Sequence, residues 1–231
     1  MHSEKEQLRQ EIAERRTDES LPPGREEWGK CAEKLRRIPV YRTAQTILAS
    51  PAAPIHQVRL NILSDRKYLV MPTPGLQKGF ILLDPKEIPT GKRSFAVHTD
   101  PRNPFARKMP YDKPLKRPIE IIITEAVAVG ADGSRLGDGH GHLDLQYAAL
   151  HTLGWLHENL KIIAIMEEDR IFPSLPTEPT DLGVHWIVTP ERILTTPYSE
   201  PPNIGIIWDK LNKKQIRRND ALFYLYHHRI G

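Results

Sequence analysis

The sequence predicts an α/β fold: a Rossmann-like, mostly parallel sheet with helices on both faces. Three features carry that expectation. Short apolar runs rich in β-branched residues recur without strict alternation, as strands buried on both faces do. Helical stretches separate them, the order expected of a parallel sheet. The runs stop at turn residues, and in open sheets of this kind ligands gather beyond the C-terminal strand ends.

In chain order, Lys5 to Arg16 reads as an exposed, charge-laced helix with Leu8 and Ile12 one turn apart, stopped by Leu21-Pro22-Pro23-Gly24. A second helical stretch covers Glu26 to Arg36. Thr46 to Ser50 is a buried strand ending at Pro51, and His56 to Leu63 a helix. Tyr68 to Met71 and Gly79 to Leu83 follow as strands, with Pro72-Thr73-Pro74-Gly75 between them, in the spacing of β-α-β units. Residues 90–117 are Pro-, Lys- and Arg-rich with little periodicity, an irregular surface excursion. Ile119 to Ile123 resumes the sheet. After Ala126 to Val129 and a glycine-rich turn comes an amphipathic helix from about Leu143 to Leu153, then strands at Lys161 to Met166 and His185 to Val188. These elements form one domain over residues 1–209, with residues 1–24 as a helical arm. Residues 210–231 form a basic, aromatic tail packing on that domain.

Composition narrows the function. The 231 residues are 39% hydrophobic and 27% charged, enough to bury one sizeable core. A formal net charge of +4 is too mild to imply nucleic acid or membrane by itself, though a nucleotide-sized polyanion remains compatible. Cys31 is the only cysteine, so there is no intramolecular disulfide and no CxxC pair, which fits a reducing cytoplasm. The charged N-terminal stretch lacks the apolar segment of a secretory signal, and no apolar run approaches the ~18 residues of a membrane span. The 21 prolines are scattered, and no repeat is visible.

Gly133-Ser134-Arg135-Leu136-Gly137-Asp138-Gly139-His140-Gly141-His142-Leu143-Asp144 is the most informative stretch. Glycines at every second position can expose successive backbone N–H groups. The next helix begins with a partial positive charge, and Arg135 adds forked donors, a combination that suits phosphate. The pattern is neither GxGxxG nor GxxxxGK[ST]. A bland tight turn has similar composition.

The stretch from Ala126 through Asp144 resembles the nucleotide loop of the 5-formyltetrahydrofolate cyclo-ligase family, also called methenyltetrahydrofolate synthetase. Two further segments match in the family's order: Lys5-Glu6-Gln7-Leu8-Arg9 near the start, and Leu175-Pro176-Thr177-Glu178 with Asp181 and Val188-Thr189-Pro190 near the end. Val58-Arg59, Met71-Pro72-Thr73-Pro74, Gly79-Phe80, Leu83-Asp84-Pro85 and Gly205-Ile206-Ile207-Trp208 resemble its divergent, cyclo-ligase-like branch, known as methenyltetrahydrofolate synthetase domain-containing proteins. The resemblance reaches about Trp208.

It implies a Mg-ATP-dependent ligase. In the family, the formyl oxygen of 5-formyltetrahydrofolate attacks the γ-phosphate, N10 closes the ring, and phosphate leaves to give 5,10-methenyltetrahydrofolate. On that basis Lys5, Arg9 and Arg135, with Gly137, Gly139 and Gly141, are the expected nucleotide and phosphate ligands. Asp144 and Asp181 are the expected Mg²⁺ ligands. No catalytic residue emerges from the pattern, and His142 is the one candidate.

Each has a plainer explanation. Lys5 and Arg9 lie on a charged helical arm where a solvated face is common, and Asp144 near a helix start is often a dipole partner. His140 and His142 alone leave a zinc site short of a third ligand.

The family writes G-Y-Y-D and a basic residue after its last loop glycine, where this chain has Gly141-His142-Leu143-Asp144-Leu145. It also carries folate-holding glutamates before Arg59, where this chain has Pro54-Ile55-His56-Gln57-Val58. Two alternatives follow: a divergent relative acting on a substrate other than folate, for which the resemblance to the divergent branch implies a link to thiamine-related metabolism, or a non-catalytic protein binding nucleotide, or RNA through its tail.

Overall fold

The computed structural model describes residues 2–19, 24–98 and 102–228. The Leu21 to Pro23 helix stop and the last tail residues, 229–231, lie outside them. In chain order the helices and strands are α1 (His2–Glu19), α2 (Arg25–Leu35), α3 (Pro39–Thr43), β1 (Thr46–Ala49), α4 (His56–Ser64), β2 (Tyr68–Pro72), β3 (Phe80–Leu83) and α5 (Arg93–Ala96). Then come β4 (Arg107–Lys108), β5 (Ile119–Thr124), β6 (Ala128–Gly130), β7 (Arg135–Leu136), α6 (His142–Thr152), β8 (Leu156–Ile165), β9 (Ile171–Phe172), β10 (Trp186–Val188), β11 (Ile193–Thr195), α7 (Lys213–Arg218) and α8 (Asp220–His227).

Eight strands form the main sheet in the order β11-β10-β8-β5-β1-β2-β3-β4. Its centre, β10-β8-β5-β1-β2, is parallel. Side chains on a strand alternate between faces, and the central strands divide their apolar residues accordingly. Ile47, Ile121, Ile123 and Ile163 pack with Leu35, Val58 and Ile62 from α2 and α4. Leu48, Ile122, Ile162 and Ala164 pack with Tyr147 and Leu150 from α6 and Ala221 from α8. Both faces are therefore covered, and an apolar run without alternation is what such a strand requires.

The strand over Gly79 to Leu83 departs from the β-α-β expectation. β3 runs antiparallel to β2, with Pro72 opposite Phe80. The short link through Gly75 and Gly79, both at positive φ, cannot hold the crossover helix a parallel return needs. Residues 90–117 also contribute more than a surface excursion: α5 and β4 form within them, and Ala96, Val97 and Met109 are buried. Isolated apolar anchors in Pro- and Lys-rich text leave no periodicity to read.

A smaller sheet, β7-β6-β9, stands beside the main one. Ile12 of α1 packs on it with Ala128, Leu136 and Leu175, and Leu8 joins them, so the helix read as exposed buries the side that its one-turn apolar pair marks. At the other end Ala221, Leu222 and Leu225 of α8 are buried, and Tyr111 donates to Asp220 at 2.8 Å. Phe223 and Tyr226 stay exposed.

Candidate functional site

The glycine stretch folds as two structures. Residues 131–134 turn the β6–β7 hairpin, with Gly133 at φ +91°. A Cβ on Gly133 would meet Tyr198 at 2.6 Å and the Val184 carbonyl at 2.9 Å, so this glycine serves packing rather than a ligand. The loop proper is 137–141, between β7 and α6, with Gly139 and Gly141 at positive φ. Gly137 has another constraint: a Cβ there would stand 2.8 Å from the Arg135 guanidinium, which lies against the loop backbone.

Arg135 is buried. One terminal nitrogen donates to both Asp144 carboxylate oxygens at 3.0 Å, and its Nε donates to the Leu182 carbonyl at 3.2 Å. The Leu182 N–H donates to Asp144 at 3.1 Å. Next along the chain, Asp181 accepts from Lys5 Nζ at 2.5 Å and from the Glu178 N–H at 2.6 Å. Lys5 is itself buried, and Arg9, one turn on, donates to the Gly137 carbonyl at 2.7 Å. Lys5, Arg9, Arg135, Asp144 and Asp181 thus form one polar network from three separated segments. Each candidate carboxylate is paired with a candidate phosphate-binding cation.

This network borders a crevice of about 730 Å³ that opens past the ends of β1, β2, β5 and β8. Arg135, Gly137, Gly141 and Asp144 line it; so do Asp138, His142 and Leu143. His142 is exposed, whereas Leu143 is buried in the core. Ser50, Pro51, Pro54, Pro72, Thr73, Pro74 and Trp28 form the side at the ends of β1 and β2.

Sequence reasoning missed two carboxylates here, Glu125 at the end of β5 and Glu167 after β8. Glu167 is paired with Arg170 at 3.0 Å. Glu125 is different: its Oε2 is buried, and no donor among the described residues reaches it. Position past a central strand end was the available signal. Beneath it, Arg59 holds the carbonyls of Ser50 at 2.6 Å, Ala52 at 2.9 Å and Val97 at 3.2 Å. Burial draws the Arg59 guanidinium down to about 10, opposed by the Glu125 charge, so it stays cationic at neutral pH.

The segment supporting the loop is fixed by buried polar groups. His185 Nδ1 accepts the Ile162 N–H at 3.1 Å, which leaves Nε2–H for the Ser199 carbonyl at 3.1 Å. Burial, then the nearby Lys161 charge, lower the His185 pKa from 6.5 to about 4.

Three kinds of comparison place the chain among known proteins. A family model described as the 5-formyltetrahydrofolate cyclo-ligase family matches residues 1–190. The chain is 29% identical over 203 residues to the methenyltetrahydrofolate synthase domain-containing protein of Bos taurus, covering 86% of this chain and 53% of that protein. It spans about half the length of such curated relatives. It is 32% identical over 73 residues to the 5-formyltetrahydrofolate cyclo-ligase of Mycolicibacterium smegmatis, covering 32% of this chain and 34% of that protein. The NMR structure of Aquifex aeolicus 5,10-methenyltetrahydrofolate synthetase shares the fold, with a TM-score of 0.56 at 16% identity over 85% of this chain and 94% of that one. No helix among the described residues is long and apolar enough to cross a membrane.

Proposed function

Since the chain belongs to the 5-formyltetrahydrofolate cyclo-ligase family, we propose that its crevice takes Mg-ATP on the glycine-loop side and a small substrate beside it, for ATP-dependent activation of a formyl or amide-like oxygen. One observation carries this reading: Arg9 and Arg135 lie against the glycine loop at the sheet's C-terminal edge, and Lys5 joins their network through Asp181. Forked and charge-assisted donors of this kind match phosphate oxygens.

The donor set also fits the metal. Asp144 and Asp181 offer the carboxylate oxygens that Mg²⁺ takes, one or two at a time. Their present partners, Arg135 and Lys5, are the cations that phosphates would attract. Nucleotide and metal would then exchange partners with existing ion pairs, and the buried charge would stay balanced. Mg²⁺ held there would supply charge neutralisation to the triphosphate. Arg9 and the loop glycines would orient it, and the Pro-lined side would limit water around the reacting oxygen.

A second reading concerns the substrate alone. The family's folate-contacting glutamates are missing from 54–58, while Glu125 offers an unpartnered acceptor from the floor. That favours a divergent substrate whose N–H groups meet Glu125. The test is methenyltetrahydrofolate formation from 5-formyltetrahydrofolate and Mg-ATP, followed by absorbance. Turnover within roughly tenfold of the ~10 s⁻¹ typical of enzymes would make folate the substrate. ATP binding without turnover would support the divergent reading, and Glu125→Gln should then weaken binding of the true substrate while leaving ATP affinity unchanged.

A further inference from the structure

Asp138, His140 and His142 project from the glycine loop, all exposed, with one ligand atom from each lying within 4.8 Å of the others. The loop backbone produces this grouping. Gly139 at φ +90° and Gly141 at φ +63° adopt conformations that L side chains rarely take, and they bring the alternate residues to one side. The imidazole rings of His140 and His142 lie 5.4 Å apart and nearly parallel, and His140 Nδ1 stands 3.4 Å from Asp138 Oδ2. Asp138 is held in turn, accepting from the His140 N–H at 3.0 Å. The third ligand that two histidines lacked in the sequence is therefore present.

We propose that Asp138, His140 and His142 form a binding site for a divalent transition metal of the zinc class. Two imidazoles and one carboxylate are a ligand set that suits Zn²⁺, Co²⁺ or Ni²⁺ and discriminates against Mg²⁺, which takes oxygen ligands and keeps its waters. Tetrahedral zinc with bonds of about 2.0–2.1 Å separates its ligand atoms by about 3.4 Å. The three side chains are exposed, so their rotamers are free to adjust toward that spacing. The Asp138 charge offsets the positive end of α6, which starts at His142. Three protein ligands leave a coordination position open, and Asp138 and His142 also line the crevice, so that position adjoins the cavity. The site is separate in residues and in chemistry from the Asp144 and Asp181 pair, and it does not depend on nucleotide binding.

The test is calorimetric titration of ZnCl₂ into the full, nucleotide-free chain after chelator treatment and dialysis, with Co²⁺ visible absorption as a second readout. One equivalent of Zn²⁺ should bind, with no matching heat from Mg²⁺. Losing a group that merely orients a metal ligand already costs about 10–100-fold in affinity, so His140→Ala and His142→Ala should each weaken binding by at least about tenfold, as should Asp138→Asn. His157→Ala, on β8, should leave it unchanged. Because the three side chains are exposed, circular dichroism should show the variants folded. Absence of saturable binding at micromolar zinc would overturn the proposal. So would a His140→Ala/His142→Ala variant that binds one equivalent with unchanged affinity.

Discussion

In the network bordering the glycine-loop side of the crevice, Arg135 and Asp144, which line it, and Lys5 and Asp181, which do not, are locked into reciprocal ion pairs and backbone bonds. On the side built from the ends of β1 and β2, the lining runs through Ser50, Pro51, Ala52, Ala53, Pro54, Pro72, Thr73, Pro74 and Gly75 without an ionisable side chain. The first side is specified by charge, and a change there leaves a buried group unsatisfied. The second is specified by shape, and proline offers no N–H to a ligand. One crevice thus joins a region with strict residue requirements to a region that constrains a ligand by shape alone.

The largest expected effect lies on the charged side. Arg135→Ala strips Asp144 of its partner and leaves the Leu182 carbonyl without its Arg135 donor. Breaking a buried pair costs about 3–5 kcal/mol, and partial solvent access at Asp144 places this one near the lower figure. Denaturant unfolding should show that loss, with Arg135→Lys recovering part of it. An unchanged midpoint would remove the contrast between the two sides.

A similar magnitude is expected from pH. His185 is neutral in the native state and gains a proton more readily once unfolded, because its folded pKa lies below the unfolded value. Stability is therefore full above about 6.5 and is lost as pH falls toward about 4, by on the order of 3 kcal/mol. His185→Asn should flatten this part of the unfolding profile. A profile that keeps its slope would assign the acid sensitivity to other groups.

Much of this was readable in advance, and the limits have physical causes. The central strands announced themselves because burial on both faces removes polar residues from Thr46 to Ala49 and Ile119 to Ile123. The loop side was legible because Arg135, Gly137 and Asp144 fall within one short stretch, and a local motif survives in one dimension. Glu125 and the proline-lined side were not legible as a site, because separate strand ends meet there only after the sheet forms. The antiparallel turn of β3 and the burial of Arg135 were hidden for a related reason: both depend on what packs nearby rather than on local periodicity.

Smaller effects are expected at the boundary between the two sides. Leu143 sits in the core beneath the crevice, so Leu143→Tyr should cost about 1–3 kcal/mol through overpacking. The neighbouring exposed His142→Tyr should stay within about 0.5 kcal/mol of the parent. Thermal melts of the two variants would check this, and equal losses would mean that the loop does not divide core from surface as described.

Calorimetric titration of Mg-ATP into the full chain and into Arg9→Ala tests whether the loop network binds phosphate. Among the described residues Arg9 donates to the Gly137 carbonyl and pairs with no buried carboxylate, so its loss should spare the fold while removing a charged donor from the phosphates. The parent should bind one-to-one, with stabilisation of about 2.7 kcal/mol at a hundred times the Kd. Arg9→Ala should bind more weakly by about 1.5–3 kcal/mol. Absence of heat and of any melting shift at millimolar Mg-ATP, in a chain shown to be folded, would contradict it.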